Sequence, residues 1–287
     1  MSAKKYDVYA IGNAVVDYEI EVDNAFLEAN GVEKGLMTLA EQDRQDGLLR
    51  AAKSNIRKKQ AGGSAANSVV ALAQLGGTGF YSCKVASDVD GTFYRDDLVE
   101  QGVATNLSDA KLDEGVTGKC LVMITPDAER TMSTFLGISS NLSLSELNLD
   151  QLENSHYLFL EGYLVSSPSS FEAIKEAKKR TKTVDVKTAL TFSDPSMVKY
   201  FGDQMHEVVG EGVDLLFCNE EEARLYAGTD DLTQAIEKLK KITKSYVLTL
   251  GSKGARIWDG ENTHRIDAVK TQAVDTTGAG DIYAGTF

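Results

Sequence analysis

Asp275-Thr276-Thr277-Gly278-Ala279-Gly280-Asp281-Ile282-Tyr283-Ala284-Gly285-Thr286-Phe287 is a small-residue turn that ends in an acid and opens a helix. A turn of this kind presents unshielded backbone N–H groups to a phosphate-sized anion. Asp281 directly follows Gly278-Ala279-Gly280. Its carboxylate can take a proton from a hydroxyl while those N–H groups hold the charge that develops on a transferring phosphoryl group. Base and anion hole would then come from one short segment. The plain alternative is a glycine-rich loop that caps a helix.

Upstream, Val8 to Ile11 reads as a buried strand ending at Gly12-Asn13, and Tyr18-Glu19-Ile20-Glu21-Val22 alternates as a half-exposed strand of an outlying sheet. A polar helix is expected over 40–53, and Ala61 to Asn67 reads as a loop feeding a buried helix that Gly76-Gly77 stops. Further strands and helices are expected at 80–85, 91–101, 120–124, 156–160, 169–180, 183–187, 215–218, 220–227, 231–241 and 246–250. From residue 156 onward strand and helix alternate. That alternation predicts an α/β fold with a central, mostly parallel sheet covered by helices and with ligands outside the carboxyl ends of its strands. The stretches of about 14–40 and 105–135 fit this pattern less well. They are expected to form a small β-sheet lid, excursions on the main domain being the alternative.

The 287 residues carry 43 acids and 30 bases, a net charge of −13, which disfavours nucleic acid and anionic membrane surfaces as partners. Small molecules are the expected partners. Cys83, Cys120 and Cys218 are too widely spaced for a Cys-x-x-Cys motif and odd in number, which favours a reducing cytoplasm. The start shows no signal-type apolar core, and no apolar run has membrane-spanning length.

Asn13 and Asp17 follow the first strand and can both hydrogen-bond vicinal hydroxyls, or else serve a local turn. Gly62-Gly63 before Asn67 allows close backbone approach to a ligand, although a tight loop explains the glycines equally well. Asn219-Glu220-Glu221-Glu222 stands at a helix start, where acids cap the dipole; its functional reading is that Asn219 and Glu222 organise water around a magnesium–nucleotide. Thr249, Gly251 and Gly254 belong to a strand and small-residue turn placed to touch a nucleotide phosphate, without the ending of a P-loop. His156, His206 and His264 form no His-Glu-x-x-His, so metalloprotease chemistry is excluded. The Gly76-Gly77-Thr78-Gly79 stretch lacks the setting of a dinucleotide fingerprint, and Arg57-Lys58-Lys59 reads as a solvated face.

Two of these stretches together resemble the signatures of the ribokinase-like (PfkB-type) carbohydrate and nucleoside kinases. Gly62 to Asn67 is similar to that family's Gly-Gly-x-x-x-Asn motif, and Asp275 to Asp281 to its Asp-Thr-x-Gly-Ala-Gly-Asp motif. The resemblance spans nearly the whole chain. It implies one doubly wound domain over 1–287 with helices on both faces and a β lid, ATP and Mg²⁺ as cofactors, Asp281 as catalytic base, and Gly278, Ala279 and Gly280 as anion hole. It further implies Asn13 and Asp17 at substrate hydroxyls, with Asn219 and Glu222 serving magnesium, the latter through water.

Gly12-Asn13 with Asp17, Asp23-x-x-Phe26-Leu27, Glu161-Gly162-Tyr163-Leu164 and Phe217-Cys218-Asn219-Glu220 look most like the adenosine-kinase branch. That places Tyr163 near a nucleoside and Arg130 on the lid near the transferring phosphate. The implied activity is phosphorylation of adenosine to AMP. A kinase of ribose, fructose or a related sugar is the alternative, as is a nucleoside- or sugar-binding protein with weak or no activity. An exposed edge of the small sheet would also support a lid-mediated homodimer, a monomer being the alternative. Members of that family usually continue beyond the residue matching Phe287, so a fragment, or a partner supplying part of the ATP pocket, is expected.

Overall fold

Tyr6–Ile11 (β1) is buried on both sides, with Tyr9, Ala10 and Ile11 fully inaccessible, as a central strand of a parallel sheet must be. The computed structural model describes residues 4–108, 111–127, 129–271 and 278–287. Its other strands are Val15–Glu21 (β2), Met37–Leu39 (β3), Ile56–Gly62 (β4), Gly79–Ser82 (β5), Ala104–Thr105 (β6), Thr117–Ile124 (β7) and Arg130–Gly137 (β8). Ser155–Glu161 (β9), Lys187–Thr191 (β10), Val213–Asn219 (β11), Thr243–Thr249 (β12), Ala255–Trp258 (β13) and Thr263–Ile266 (β14) complete the set.

Nine strands form the main sheet in the order β14-β13-β12-β11-β10-β9-β1-β5-β6. It is parallel from β12 to β6, and β13 and β14 add an antiparallel edge. The period-2 alternation of the strands divides their side chains between two cores. Tyr9, Ile11, Leu158, Leu160, Leu190 and Leu216 pack with the helices at 168–181, 202–209, 220–227 and 232–239. Ala10, Tyr81, Phe159 and Phe217 face the opposite way, toward Ala65, Ala66 and Val69 of the helix Ser64–Gln74. The fold is thus the expected α/β architecture, with helices on both faces of a mostly parallel sheet.

Local chemistry explains the helix boundaries. Pro168 occupies the first turn of Pro168–Thr181, and Lys178, Lys179 and Arg180 lie in its last turn, favourable to the helix dipole. Lys178 also donates to Val208 O and Val209 O at 2.6 and 2.5 Å, capping the helix Gly202–Val209, and burial lowers its pKa to about 8. Glu220–Ala227 begins on a capping box and stops at Gly228 in the left-handed conformation.

The smaller sheet runs β3-β8-β7-β2-β4. Its strands draw on 15–39 and 117–137, within or beside the stretches expected to leave the main domain, but also on β4. That strand is a correction: Arg57-Lys58-Lys59 is not merely a solvated face but part of an edge strand. Charged side chains suit an edge because only one side needs a partner. Arg57 pairs with Glu21 at 2.5 Å, and Lys59 with Asp90 at 2.6 Å. Asp90 also accepts from the Tyr18 hydroxyl at 2.5 Å, tying β2 and β4 to the helix Val89–Glu100 of the main domain.

The strand expected at 183–187 begins only at Lys187, because the helix before it closes through tight turns and Val184 and Val186 enter the core from that turn. Thr105, assigned to the lid stretch, instead ends β6 at the edge of the main sheet.

Candidate active site

The helix Ala279–Thr286 lies against Ser64–Gln74 at backbone contact, since a Cβ on Gly285 would stand 2.0 Å from Ser68 O. Small residues make this approach affordable, and it carries Asp281 to the first turn of the other helix. Ser64 Oγ donates to Asp281 Oδ1 at 2.7 Å, and Asn67 Nδ2 donates to Oδ2 at 3.1 Å. Burial raises the Asp281 pKa, and these two bonds pull it back. Gly278 caps the helix in the left-handed region at φ +69. The two sequence motifs, more than 200 residues apart, thus meet at one carboxylate. Asp275, Thr276 and Thr277 lie outside the described residues.

Gly63 has φ +104, and a Cβ there would sit 2.1 Å from Asn13 O, so the loop closes directly on the end of β1. Asn13 is only 7 % exposed, and most of its bonding capacity is used inside the protein. Its Oδ1 accepts from Ser139 Oγ at 3.3 Å, and its Nδ2 donates to Glu161 Oε1 at 3.3 Å. Glu161, at the end of β9, also accepts from Asn13 N at 3.3 Å and Ala65 N at 2.9 Å. Burial raises the Glu161 pKa to about 7 despite these donors. Asp17 on β2 is raised to about 7 by burial first and the Asp281 charge second, against the opposing charge of Arg130.

A cavity of about 780 Å³ joins these groups. Of the sequence-predicted residues, Asn13, Asp17, Gly63, Asn67, Arg130, Tyr163, Asn219, Glu222, Thr249, Gly278, Ala279, Gly280 and Asp281 line it. Gly62 lies beneath Asp17 rather than in the lining, and Gly251 and Gly254 lie outside it. Gly254 has a packing reason of its own, for a Cβ there would meet Ile266 O at 1.9 Å. Toward the smaller sheet the wall is apolar, built from Val15, Val122, Met132, Leu136 and Met37 with Cys120 among them. The cavity follows the carboxyl ends of the strands from β1 to β12, four strand spacings, or about 19 Å at about 4.8 Å each.

At the far end, Asn219 and Glu222 form a reciprocal cap. Asn219 Oδ1 accepts from Glu222 N, and Asn219 N and Nδ2 donate to the two Glu222 oxygens, all at 2.9 Å. Burial raises the Glu222 pKa to about 7. Both oxygens being engaged, Glu222 suits magnesium held through water better than direct ligation. Among the described residues no group of three or more His, Cys, Asp or Glu side chains could hold a metal ion.

Sequence reasoning had singled out neither Ser64 nor Glu161 as a site residue. The signal for Glu161 was an acid closing the apolar run Tyr157-Leu158-Phe159-Leu160. Ser193, also in the lining, has φ +68 and accepts from Gly162 N at 2.9 Å, which no sequence pattern announced. A second groove of about 780 Å³ lies at the opposite end of the strands, by the starts of β10, β11 and β12. There Lys175, Lys182 and Lys244 are already paired with Glu207, Glu211 and Asp214.

The profile of the pfkB family of carbohydrate kinases matches residues 42–287, and the chain belongs to that family. These are phosphotransferases acting on small sugars and nucleosides. Among solved structures, the adenosine kinase from Sinorhizobium meliloti is similar at 36% identity with a TM-score of 0.88, over 98% of this chain and 86% of that one. A probable sugar kinase from Rhizobium etli CFN 42 reaches 29% identity and a TM-score of 0.89, covering 98% of this chain and 85% of its own. Adenosine kinase 2 of Arabidopsis thaliana is 25% identical across 100% of this chain and 88% of its own length. No helix among the described residues is long and apolar enough to cross a membrane.

Proposed function

We propose that this chain transfers the γ-phosphoryl group of ATP to the primary hydroxyl of a ribonucleoside, converting adenosine to AMP. The observation that carries this reading is the two-sided lining of the cavity. Asp17 and Asn67 offer hydrogen bonds for ribose hydroxyls close to the base, while Val15, Val122, Met132 and Leu136 form an apolar wall suited to a flat heterocycle. A simple sugar has hydroxyls on all sides and would leave that wall without an apolar partner. The likeness to the Sinorhizobium meliloti adenosine kinase points the same way.

Asp281 takes the proton of the attacking hydroxyl; its raised pKa brings it nearer the working range of a general base. The N–H groups of the turn at Gly278 to Gly280 hold the charge of the transferring group, and Arg130 supplies a positive charge from the smaller sheet. Ligands lying end to end along that span of about 19 Å put the nucleotide phosphates toward Thr249, Asn219 and Glu222. Magnesium, when bound, would neutralise phosphate charge, and Glu222 would hold it through water. The smaller sheet acts as a lid that excludes water on closure.

The test is ADP production across a panel of nucleosides, ribose, fructose and phosphorylated sugars. Adenosine should give the highest kcat/KM. A preference for a sugar would replace the nucleoside reading, and adenosine binding without turnover would mark a binding protein.

A further inference from the structure

Two donors hold the base inside the protein, and they are not alike. Asn67 lies one turn into the helix and reaches Asp281 Oδ2 at 3.1 Å. Ser64 is the first residue of that helix, lines the cavity, and reaches Oδ1 at 2.7 Å through a hydroxyl that turns about a single bond. Charge-assisted bonds of this length are among the stronger ones in proteins. An attacking hydroxyl must deliver its proton to a carboxylate oxygen; Asn67 already holds Oδ2, and an approach to Oδ1 meets the Ser64 hydroxyl.

We propose that Ser64 is a gate on the base: its hydroxyl covers Asp281 Oδ1 against water and yields only to an acceptor anchored elsewhere in the cavity. This rests on the kinase reading given above. In productive transfer the acceptor O–H bond breaks and its proton passes to Asp281. The acceptor oxygen bonds to the γ-phosphorus, and the bond from that phosphorus to the ADP oxygen breaks. Water on Oδ1 would follow the same steps and yield ADP and inorganic phosphate. A nucleoside held by Asp17 and the apolar wall arrives at high effective concentration and displaces the serine. Water has no such anchor and loses the competition.

The experiment measures ADP released from MgATP without acceptor, and AMP formed with adenosine, for wild type, Ser64→Ala, Ser64→Thr and Ser64→Ala combined with Asp281→Asn. Ser64→Ala should raise acceptor-free hydrolysis by about tenfold, the size expected for loss of one charge-assisted bond. Threonine should restore the low rate, and Asp281→Asn should abolish the increase. Misfolding lowers hydrolysis and cannot produce this gain. Unchanged hydrolysis in Ser64→Ala, in a wild-type background that phosphorylates adenosine, overturns the gate alone. A wild-type chain that phosphorylates no acceptor overturns the kinase reading and the gate with it.

Discussion

The Asp17 carboxylate rests on Gly62 so closely that a Cβ on the glycine would lie 2.3 Å from Asp17 Cγ. The backbone of Gly62 is otherwise ordinary, for it pairs with Val15 in the sheet and its carbonyl accepts from the Tyr94 hydroxyl at 2.7 Å. Its small size therefore serves the position of a side chain on the neighbouring strand. Gly62→Ala should push Asp17 aside and raise the KM for adenosine by roughly tenfold to a hundredfold, the loss of one charged hydrogen bond. Thermal stability should change little. Steady-state kinetics beside a melting curve checks both halves, and an unaltered KM would remove Asp17 from the acceptor site.

Asp281→Asn keeps the size of the side chain and removes the base. Turnover should fall about 100-fold to 10,000-fold. Nucleoside affinity by calorimetry should persist, since Asp17 and the apolar wall are untouched. Equal rates in mutant and wild type would refute the assignment of the base.

Glu161 is 1 % exposed and raised to about 7 by burial. A carboxyl with a folded pKa above its unfolded value of about 4.3 binds more protons folded than unfolded. Its stabilising contribution is complete below the unfolded pKa and is lost as pH rises through about 7. Wild-type Tm should therefore decline between about pH 4 and pH 7, and Glu161→Gln should flatten part of the decline. Asp17 and Glu222 contribute with the same sign, which is why the flattening is partial. Identical pH–Tm curves would show that Glu161 does not titrate in this window.

Glu222→Gln should raise the MgCl₂ concentration required for half-maximal turnover at saturating ATP. It should also cost about 1 kcal/mol of stability, because the substitution disturbs the cap made with Asn219. Metal-free adenosine binding should be unchanged. A crippled adenosine affinity with an unchanged magnesium response would move Glu222 into the acceptor pocket.

Asp90 collects Lys59, Lys119 and the Tyr18 hydroxyl, so it fastens the smaller sheet to the main domain. Burial alone would raise its pKa, but its bonds to Lys59 and Tyr18 and the charges of Lys59 and Lys119 outweigh this and lower it. The stability it contributes is present above the unfolded carboxylate pKa and is lost as pH falls through the folded one. Asp90→Asn should cost about 1–3 kcal/mol near neutral pH and less in acid. Urea melts at two pH values give the comparison, and an equal cost at both would leave the carboxylate charge without a role.

Strand and helix alternation after residue 156 made the main sheet legible, because buried parallel strands are continuous apolar runs and their helices carry a helical period. The phosphate motifs were legible for a different reason. Backbone approach and a base beside it demand glycine and acid at fixed spacing, so the requirement is written locally in Gly62-Gly63 and Gly278 to Asp281. Strand β4 was hidden because an edge strand needs no apolar alternation, and its lysine at 59 is satisfied by an aspartate on a distant helix.

The sequence by itself determined the class of fold, the family and the motif residues of the site, since these follow from patterns within short windows. Tertiary structure decided how those windows serve one another. Only packing of two small-residue helices sets Ser64 and Asn67 on Asp281, and only burial between β1 and the helix Ser64–Gln74 turns Glu161 into a carboxyl raised to about 7. Hydrogen bonds and dielectric environment depend on neighbours brought together by the fold, and no spacing along one chain encodes a distance of 2.7 Å between residues 64 and 281.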